Sequence, residues 1–235
     1  MPISVWFKIR GFLLVIALLL QGCVTSIVVE GTVPTPLVSK IPARIGIYYS
    51  EEFRKFKHKE MIRESGGWNI DLGTQNLVFF KNLTRSLFAD VLEIQEPFSE
   101  SNKRDSLDGI LIPSITKYGF LTPTVSGLKF YSASIEYKIE MFDRSDSKIG
   151  DWSIVGYGKS EGGMFSADEA VNEATVLAIR DAGARIAIGL KDQAVIQTWL
   201  KSLQKPAQAV ESNNETKADV LKENITESVG FVSDA

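Results

Sequence analysis

The chain is 235 residues long, 44% hydrophobic and 23% charged, with 26 Lys+Arg against 29 Asp+Glu and a net charge of −3. Those proportions exclude a collagenous, disordered or polytopic membrane chain, and the charge lacks the basic footprint of a nucleic-acid binder. A single Cys rules out an internal disulfide, and a single His rules out His-rich metal sites and most His-based triads.

The first 22 residues have the layout of a signal peptide. Lys8 and Arg10 give a positive start, and Gly11–Leu20 is an uninterrupted apolar run. A spanning helix needs about 20 apolar residues, so this run is short for a permanent anchor. Residues 23–40 hold two Pro, one Gly and several Ser/Thr without a helical period, and they read as a tether. Extended at about 3.3 Å per residue, such a segment reaches about 55 Å.

Residues 41–204 read as one α/β domain. Ala43–Ser50 (ARIGIYYS) predicts a buried strand, and Glu51–Ser65 a short helix or an extended excursion that Gly66-Gly67 ends. From a Thr74 cap, Leu77, Phe80, Leu87, Phe88 and Val91 recur at helical spacing, which predicts a helix through Leu92. Asp108–Tyr118 predicts a strand whose Pro113 calls for an edge position or a bulge. In Ala133–Phe142 the residues Ile135, Tyr137, Ile139 and Met141 alternate with Glu136, Lys138 and Glu140. Together with Lys148–Lys159 across the turn-rich Asp143–Ser147, that stretch predicts an antiparallel hairpin. Gly156 and Gly158 inside the second arm mark a bulge or a close packing point.

Ser166-Ala-Asp-Glu169 has capping-box spacing. The helix it opens carries a stripe of Val171, Ala174, Ala178, Ala182 and Ile186, small enough to lie close on a sheet. Gly189 ends or kinks it, and Gln193–Leu203 adds a turn or two. The order β-α-β-β-β-α predicts an α/β fold: a single domain with a mixed, largely antiparallel sheet and helices packed on one face. Residues 205–235 hold three Lys against six Asp+Glu and read as a polar, disordered tail.

Little in the chain points to chemistry. His58 lies between Lys57 and Lys59 and reads as solvent-exposed. No H-E-x-x-H, C-x-x-C, P-loop or G-x-S-x-G pattern occurs, so no metal and no cofactor are expected. Glu51/Glu52, Asp105/Asp108 and Asp143/Asp146 are the carboxylate pairs a glycosidase-like mechanism would draw on, and turns or solvated faces explain each of them. The connection Tyr118–Tyr131 (YGFLTPTVSGLKFY) displays Tyr118, Phe120, Phe130 and Tyr131 among small residues. Aromatic side chains on a loop are candidate partner contacts; the alternative is that Phe120 and Phe130 fold inward and finish the core.

Leu20-Gln21-Gly22-Cys23 resembles the lipobox of bacterial lipoproteins. The resemblance implies that residues 1–22 are removed and that Cys23 is acylated through its sulfur and its new amino group. Each buried CH₂ adds about 0.8 kcal/mol, so two or three acyl chains hold a protein firmly in a bilayer. Val24 stands where an Asp would imply inner-membrane retention, so the resemblance implies the periplasmic face of an outer membrane in a Gram-negative host. The domain resembles periplasmic lipoproteins with a TolB-amino-terminal-like domain, including auxiliary lipoproteins of ABC-type lipid transport. The carrying segments are Ala43–Ser50, Gln75–Leu92, Asp108–Ile115 and Ser132–Asp143, with the final capped helix. This implies a non-enzymatic protein whose partners are the lipid bilayer, through Cys23, and another envelope protein, with no nucleic acid. The alternatives are a lipid or apolar-ligand-binding component of such a transport system, or a cell-wall hydrolase using paired carboxylates.

Overall fold

The computed structural model describes residues 24–63, 65–98, 107–161 and 166–203. Along the chain run β1 (Val24–Val28), β2 (Ile41–Tyr48), α1 (Glu51–Arg54), β3 (Lys57–Ile62), β4 (Gly66–Asp71), α2 (Gly73–Leu87) and β5 (Phe88–Ile94). They are followed by β6 (Gly109–Leu121), α3 (Pro123–Ser126), β7 (Phe130–Asp143), β8 (Lys148–Glu161) and α4 (Ala167–Gly189). Residues 194–203 are helical again.

The strands form two sheets, a five-stranded one in the order β5-β2-β6-β7-β8 and a three-stranded one in the order β1-β4-β3. In the larger sheet β2 runs parallel to both β5 and β6, while β6, β7 and β8 are antiparallel. The sheet is therefore mixed, as the element order predicts. The period-2 pattern of β7 decides which face is buried: Ile135, Tyr137, Ile139 and Met141 point into the core. The opposite face carries ion pairs, among them Lys148 Nζ to Glu140 Oε1 at 2.8 Å and Lys117 Nζ to Glu136 Oε2 at 3.2 Å.

Helices α2 and α4 cover the apolar face side by side. Phe80 of α2 meets the Tyr137 ring edge-on at 5.1 Å, and the Tyr137 hydroxyl donates to Asn76 Oδ1. The small-residue stripe of α4 does what its composition predicts. A Cβ on Gly156 would fall 2.1 Å from the Ala178 carbonyl oxygen, so glycine is what lets β8 touch the helix backbone. The capping box is formed, with Ser166 N–H donating to Glu169 Oε2 at 3.1 Å. Near the middle of β8 the Tyr157 N–H donates to Asp181 Oδ2 of α4 at 3.0 Å, and Asp181 also holds Arg185 at 2.9 Å. Pro113 lies beyond Leu111, the last β6 residue paired with β2, so β6 has only β7 beside it there. This is the local equivalent of an edge.

Four features differ from the sequence-based expectation. The helix predicted through Leu92 stops at Leu87, and Phe88–Ile94 becomes β5, with Ile45 opposite Val91. An apolar run of that length satisfies a strand as well as a helix, and the free flank of β2 supplies a full ladder of backbone partners. Thr74 is not the cap of that helix: Leu72 holds the position, and Asp71 Oδ1 accepts the Gly73 N–H at 3.2 Å. Gly66-Gly67 ends the excursion as expected but also opens a strand not predicted, β4, and the excursion before it holds both a short helix, α1, and a strand, β3. Within the predicted tether, Val24–Val28 is β1, paired in parallel with β4 from Val24↔Gly67 to Val28↔Asp71.

The small sheet packs against the far half of β6 and the first half of α4. Trp68 of β4 meets Phe120 of β6 at 5.1 Å, and a Cβ on Gly31 would sit 2.6 Å from Val176 of α4. One apolar cluster runs continuously through both sheets and the helices.

Candidate functional site

The β6–β7 connection is built to hold one shape. Pro123, with its fixed φ, opens the single turn α3, and Gly127 closes it in the left-handed region at φ 70°, its N–H donating to Pro123 O at 2.9 Å. The Ser126 hydroxyl donates to Thr122 O at 3.0 Å and accepts the Leu128 N–H at 3.2 Å. A fixed turn presents its side chains in one arrangement, which lowers the entropy a partner must remove on binding.

Two of the four predicted contact residues point inward. Tyr118 is buried, and its hydroxyl lies 2.7 Å from Thr175 Oγ1, which itself donates to the Val171 carbonyl. Burial pushes the Tyr118 phenol above its ordinary range, against the hydrogen bond to Thr175. Phe120 is buried beneath Trp68. Phe130 and Tyr131 are half-buried at the rim, and the Lys159 ammonium sits 4.3 Å from the centre of the Phe130 ring. The apolar side chains that do reach solvent are Leu121 (47%), Val125 (48%) and Leu128 (49%). None of the three is aromatic. Their only signal in the sequence is spacing around the Pro-Thr-Val-Ser-Gly turn.

His58 is half-buried rather than exposed. Its ring stands edge-on to Tyr118 at 5.1 Å and to Phe120 at 6.1 Å, and Nε2 lies 3.0 Å from Glu60 Oε2. The basic neighbours Lys57 and Lys59 point to the other face of β3, because side chains alternate along a strand.

A cleft of about 570 Å³ opens between the end of β7, the β7–β8 turn and the helical residues 194–203, lined by Asp108, Asp143, Arg144, Val195 and Trp199 among others. Trp199 is buried, and its Nε1 has no hydrogen-bond partner among the described residues. The two carboxylates in the cleft are both engaged. Asp108 accepts the Arg44 N–H at 2.8 Å and pairs with Arg144. Asp143 Oδ1 accepts the N–H groups of Ser145 at 2.8 Å and Ser147 at 3.0 Å, which shapes the turn. Burial opposes the Asp143 charge, but the Ser145 hydroxyl and the two turn amides outweigh it and hold its pKa below the ordinary carboxylate value. A general acid needs the opposite shift.

Glu51 and Glu52 are exposed in the first turn of α1, with Glu51 paired to Lys55 at 3.1 Å. Asp105 and the motif Leu20, Gln21, Gly22 and Cys23 lie outside the described residues. Among the described residues no cluster of three or more His, Cys, Asp or Glu is placed to hold a metal ion. None of the helices among them is long and apolar enough to cross a membrane.

The arrangement defines a mixed α/β domain with a second small sheet. No family model matches the sequence, and no curated protein matches it. Solved structures with a similar course of the chain include a Xanthomonas campestris protein of the family DUF330, at 12% identity and TM-score 0.45, covering 79% of this chain and 99% of that one. A Helicobacter pylori protein described as a candidate homolog of the neuraminyllactose-binding hemagglutinin has 12% identity and TM-score 0.47, covering 72% and 96%. A minor lipoprotein from Acinetobacter baumannii has 11% identity and TM-score 0.35, covering 66% and 94%. Several such neighbours are named as lipoproteins. At these identities and scores the likeness describes the path of the chain and assigns no role.

Proposed function

We propose that this protein is a lipoprotein anchored through acylated Cys23, facing the periplasm from the outer membrane of a Gram-negative host, and that it works without catalysis by contacting another envelope protein. The anchor reading rests on the charged start, the apolar run and Leu20-Gln21-Gly22-Cys23. The contact reading rests on one observation: Leu121, Val125 and Leu128 project from a turn fixed by Pro123 and Gly127. The TolB-like resemblance agrees with such a role.

Photo-crosslinking side chains at Val125 and Leu128, introduced in cells, test the contact. The expected result is one discrete adduct with an envelope protein, absent when the crosslinker is at exposed Ile188 of α4. Identical adducts from Val125 and Ile188, or none from Val125, would remove the reading. Cys23→Ala tests the anchor separately, by loss of acyl labelling and of the membrane-bound pool.

A second reading, binding of an apolar ligand as part of a lipid transport system, is favoured by the cleft that Ile149, Val195, Trp199 and Leu203 line with apolar side chains. Its volume falls in the range of about 300–1,000 Å³ typical of small-molecule sites. Native mass spectrometry of the membrane-extracted chain would show a bound species lost in Trp199→Phe; an unliganded wild type would set this reading aside. The hydrolase alternative finds no support in Asp108 and Asp143, whose carboxylates are held by structural bonds.

A further inference from the structure

The slack expected between Cys23 and the folded domain is absent. β1 begins at Val24, the next residue, and the chain beyond it is bonded to the body. Val29 N–H donates to Asp71 O at 2.9 Å, Glu30 N–H to Asn172 Oδ1 at 3.0 Å and Gly31 N–H to Gln75 Oε1 at 3.2 Å. Arg180 Nε donates to Thr32 O at 2.8 Å. Whatever holds Cys23 therefore holds the small sheet as well.

The outward face of that sheet is ordered in rows set by the register. Val24, Gly67 and Met61 form the row beside Cys23; Ser26, Asn69 and Lys59 form the next. Val24 is 64% exposed and Met61 76%. Both lie close to the glycine between them, since a Cβ on Gly67 would lie 3.2 Å from Val24 Cγ2 and 3.4 Å from Met61 Cε. Exposed Lys59 borders this apolar pair, and exposed Arg63 follows Met61 by two positions in the turn after β3, while Glu60 points to the other face with His58. Apolar side chains bordered by cations suit an anionic lipid surface.

We propose that this face of the small sheet lies on the bilayer that holds Cys23, with Val24 and Met61 entering the headgroup boundary and Lys59 and Arg63 meeting the lipid phosphates. The inference rests on Cys23 being acylated. Adjacent Cα atoms are about 3.8 Å apart across a peptide bond, so an acylated Cys23 brings the Val24 row to the membrane without any intervening spacer. The domain is then seated on the surface in a fixed orientation.

The single cysteine makes the test direct. With the Cys23 sulfur consumed by its thioether, Met61→Cys provides a unique reactive thiol for an environment-sensitive fluorophore. Ile188→Cys is the control, about 18 Å along α4 from Val176 at roughly 1.5 Å per residue. Full-length acylated protein is reconstituted in phosphatidylethanolamine–phosphatidylglycerol vesicles containing a spin-labelled lipid. Interfacial side chains sit about 5–10 Å into the headgroup region, so quenching at position 61 should exceed that at position 188 by about twofold or more. Lys59→Glu with Arg63→Glu should reduce that excess while the protein still floats with the vesicles. Equal quenching at the two positions in protein that is acylated and floats would overturn the seating and leave the anchor standing. Protein that neither carries acyl chains nor floats would overturn both. Quenching at position 61 that vanishes on adding a soluble envelope extract would show a protein occupant and overturn the lipid assignment.

Discussion

Gly158 and Ala174 lie so close that a Cβ on the glycine would fall 1.9 Å from the Ala174 carbonyl oxygen. Strand β8 and helix α4 touch there backbone to backbone, with Leu177 Cβ the nearest side-chain atom. The obstacle is helix backbone, with Ala178 N also 2.5 Å away, so no side-chain rotation relieves it.

Gly158→Ala should consequently destabilise the fold by about 1–3 kcal/mol, the usual cost of overpacking. A lower urea midpoint with unchanged slope would show it. Gly189→Ala is the matched control: nothing lies within 4 Å of its added Cβ. It should hold stability level or raise it by about 0.4–1 kcal/mol.

The hydrogen bond from Tyr137 to Asn76 is sealed inside the core, and the Asn76 amide nitrogen donates to Leu72 O at 2.8 Å. Tyr137→Phe keeps the ring packed against Phe79 and Phe80 but leaves Asn76 Oδ1 without its donor. The expected loss is about 1–3 kcal/mol, the desolvation cost of an orphaned acceptor. Chemical denaturation of the two forms measures it, and equal midpoints would contradict it.

Glu93 ties β5 to α1 and α2. Its carboxylate meets Lys81 at 2.8 Å and Arg54 at 2.6 Å, and these bonds draw its pKa below the ordinary value of 4.5. A carboxylate depressed in the folded state adds stability above its unfolded pKa and loses it as pH falls through the folded value. Wild-type Tm should therefore drop more than that of Glu93→Gln between about pH 7 and about pH 3. Thermal melts at the two pH values test this; parallel drops would show that Glu93 is not involved.

Val125→Asp and Leu128→Asp change exposed side chains on a turn held by other residues. Each should shift stability by no more than about 0.5 kcal/mol. Each should nevertheless abolish the crosslinked adduct formed from the neighbouring position, since a buried unpaired carboxylate opposes docking. A normal melt with an undiminished adduct would show that the contact lies elsewhere.

What the sequence revealed follows from the range of the interactions involved. The β7–β8 hairpin and α4 are local: alternation from Ile135 to Met141, a turn at Asp143–Ser147 and a capping box at Ser166 and Glu169 each lie within one segment. The small sheet is the opposite case. Val24 finds Gly67 across 43 positions, in parallel, and neither β1 nor the polar β3 (KHKEMI) displays a pattern that announces a partner. The small sheet also decides which residues of the connection reach solvent. Trp68 is what covers Phe120, and without Trp68 the aromatic connection reads as an open loop. The helix-like spacing of Leu87, Phe88 and Val91 yielded to β2 for the same reason, because the competing ladder comes from 40 residues upstream and more.

The bond from Tyr157 to Asp181 bears on how copies of this protein meet. β8 is the outermost strand of the large sheet and runs for 14 residues, long enough to template growth onto a neighbouring chain. At Tyr157, however, the outward amide is already spoken for by the protein's own helix. An incoming strand would have to set its carbonyl oxygen where a carboxylate oxygen sits, and the two repel. The longest open sheet margin among the described residues is thus interrupted near its centre, which opposes runaway sheet extension from one copy to the next.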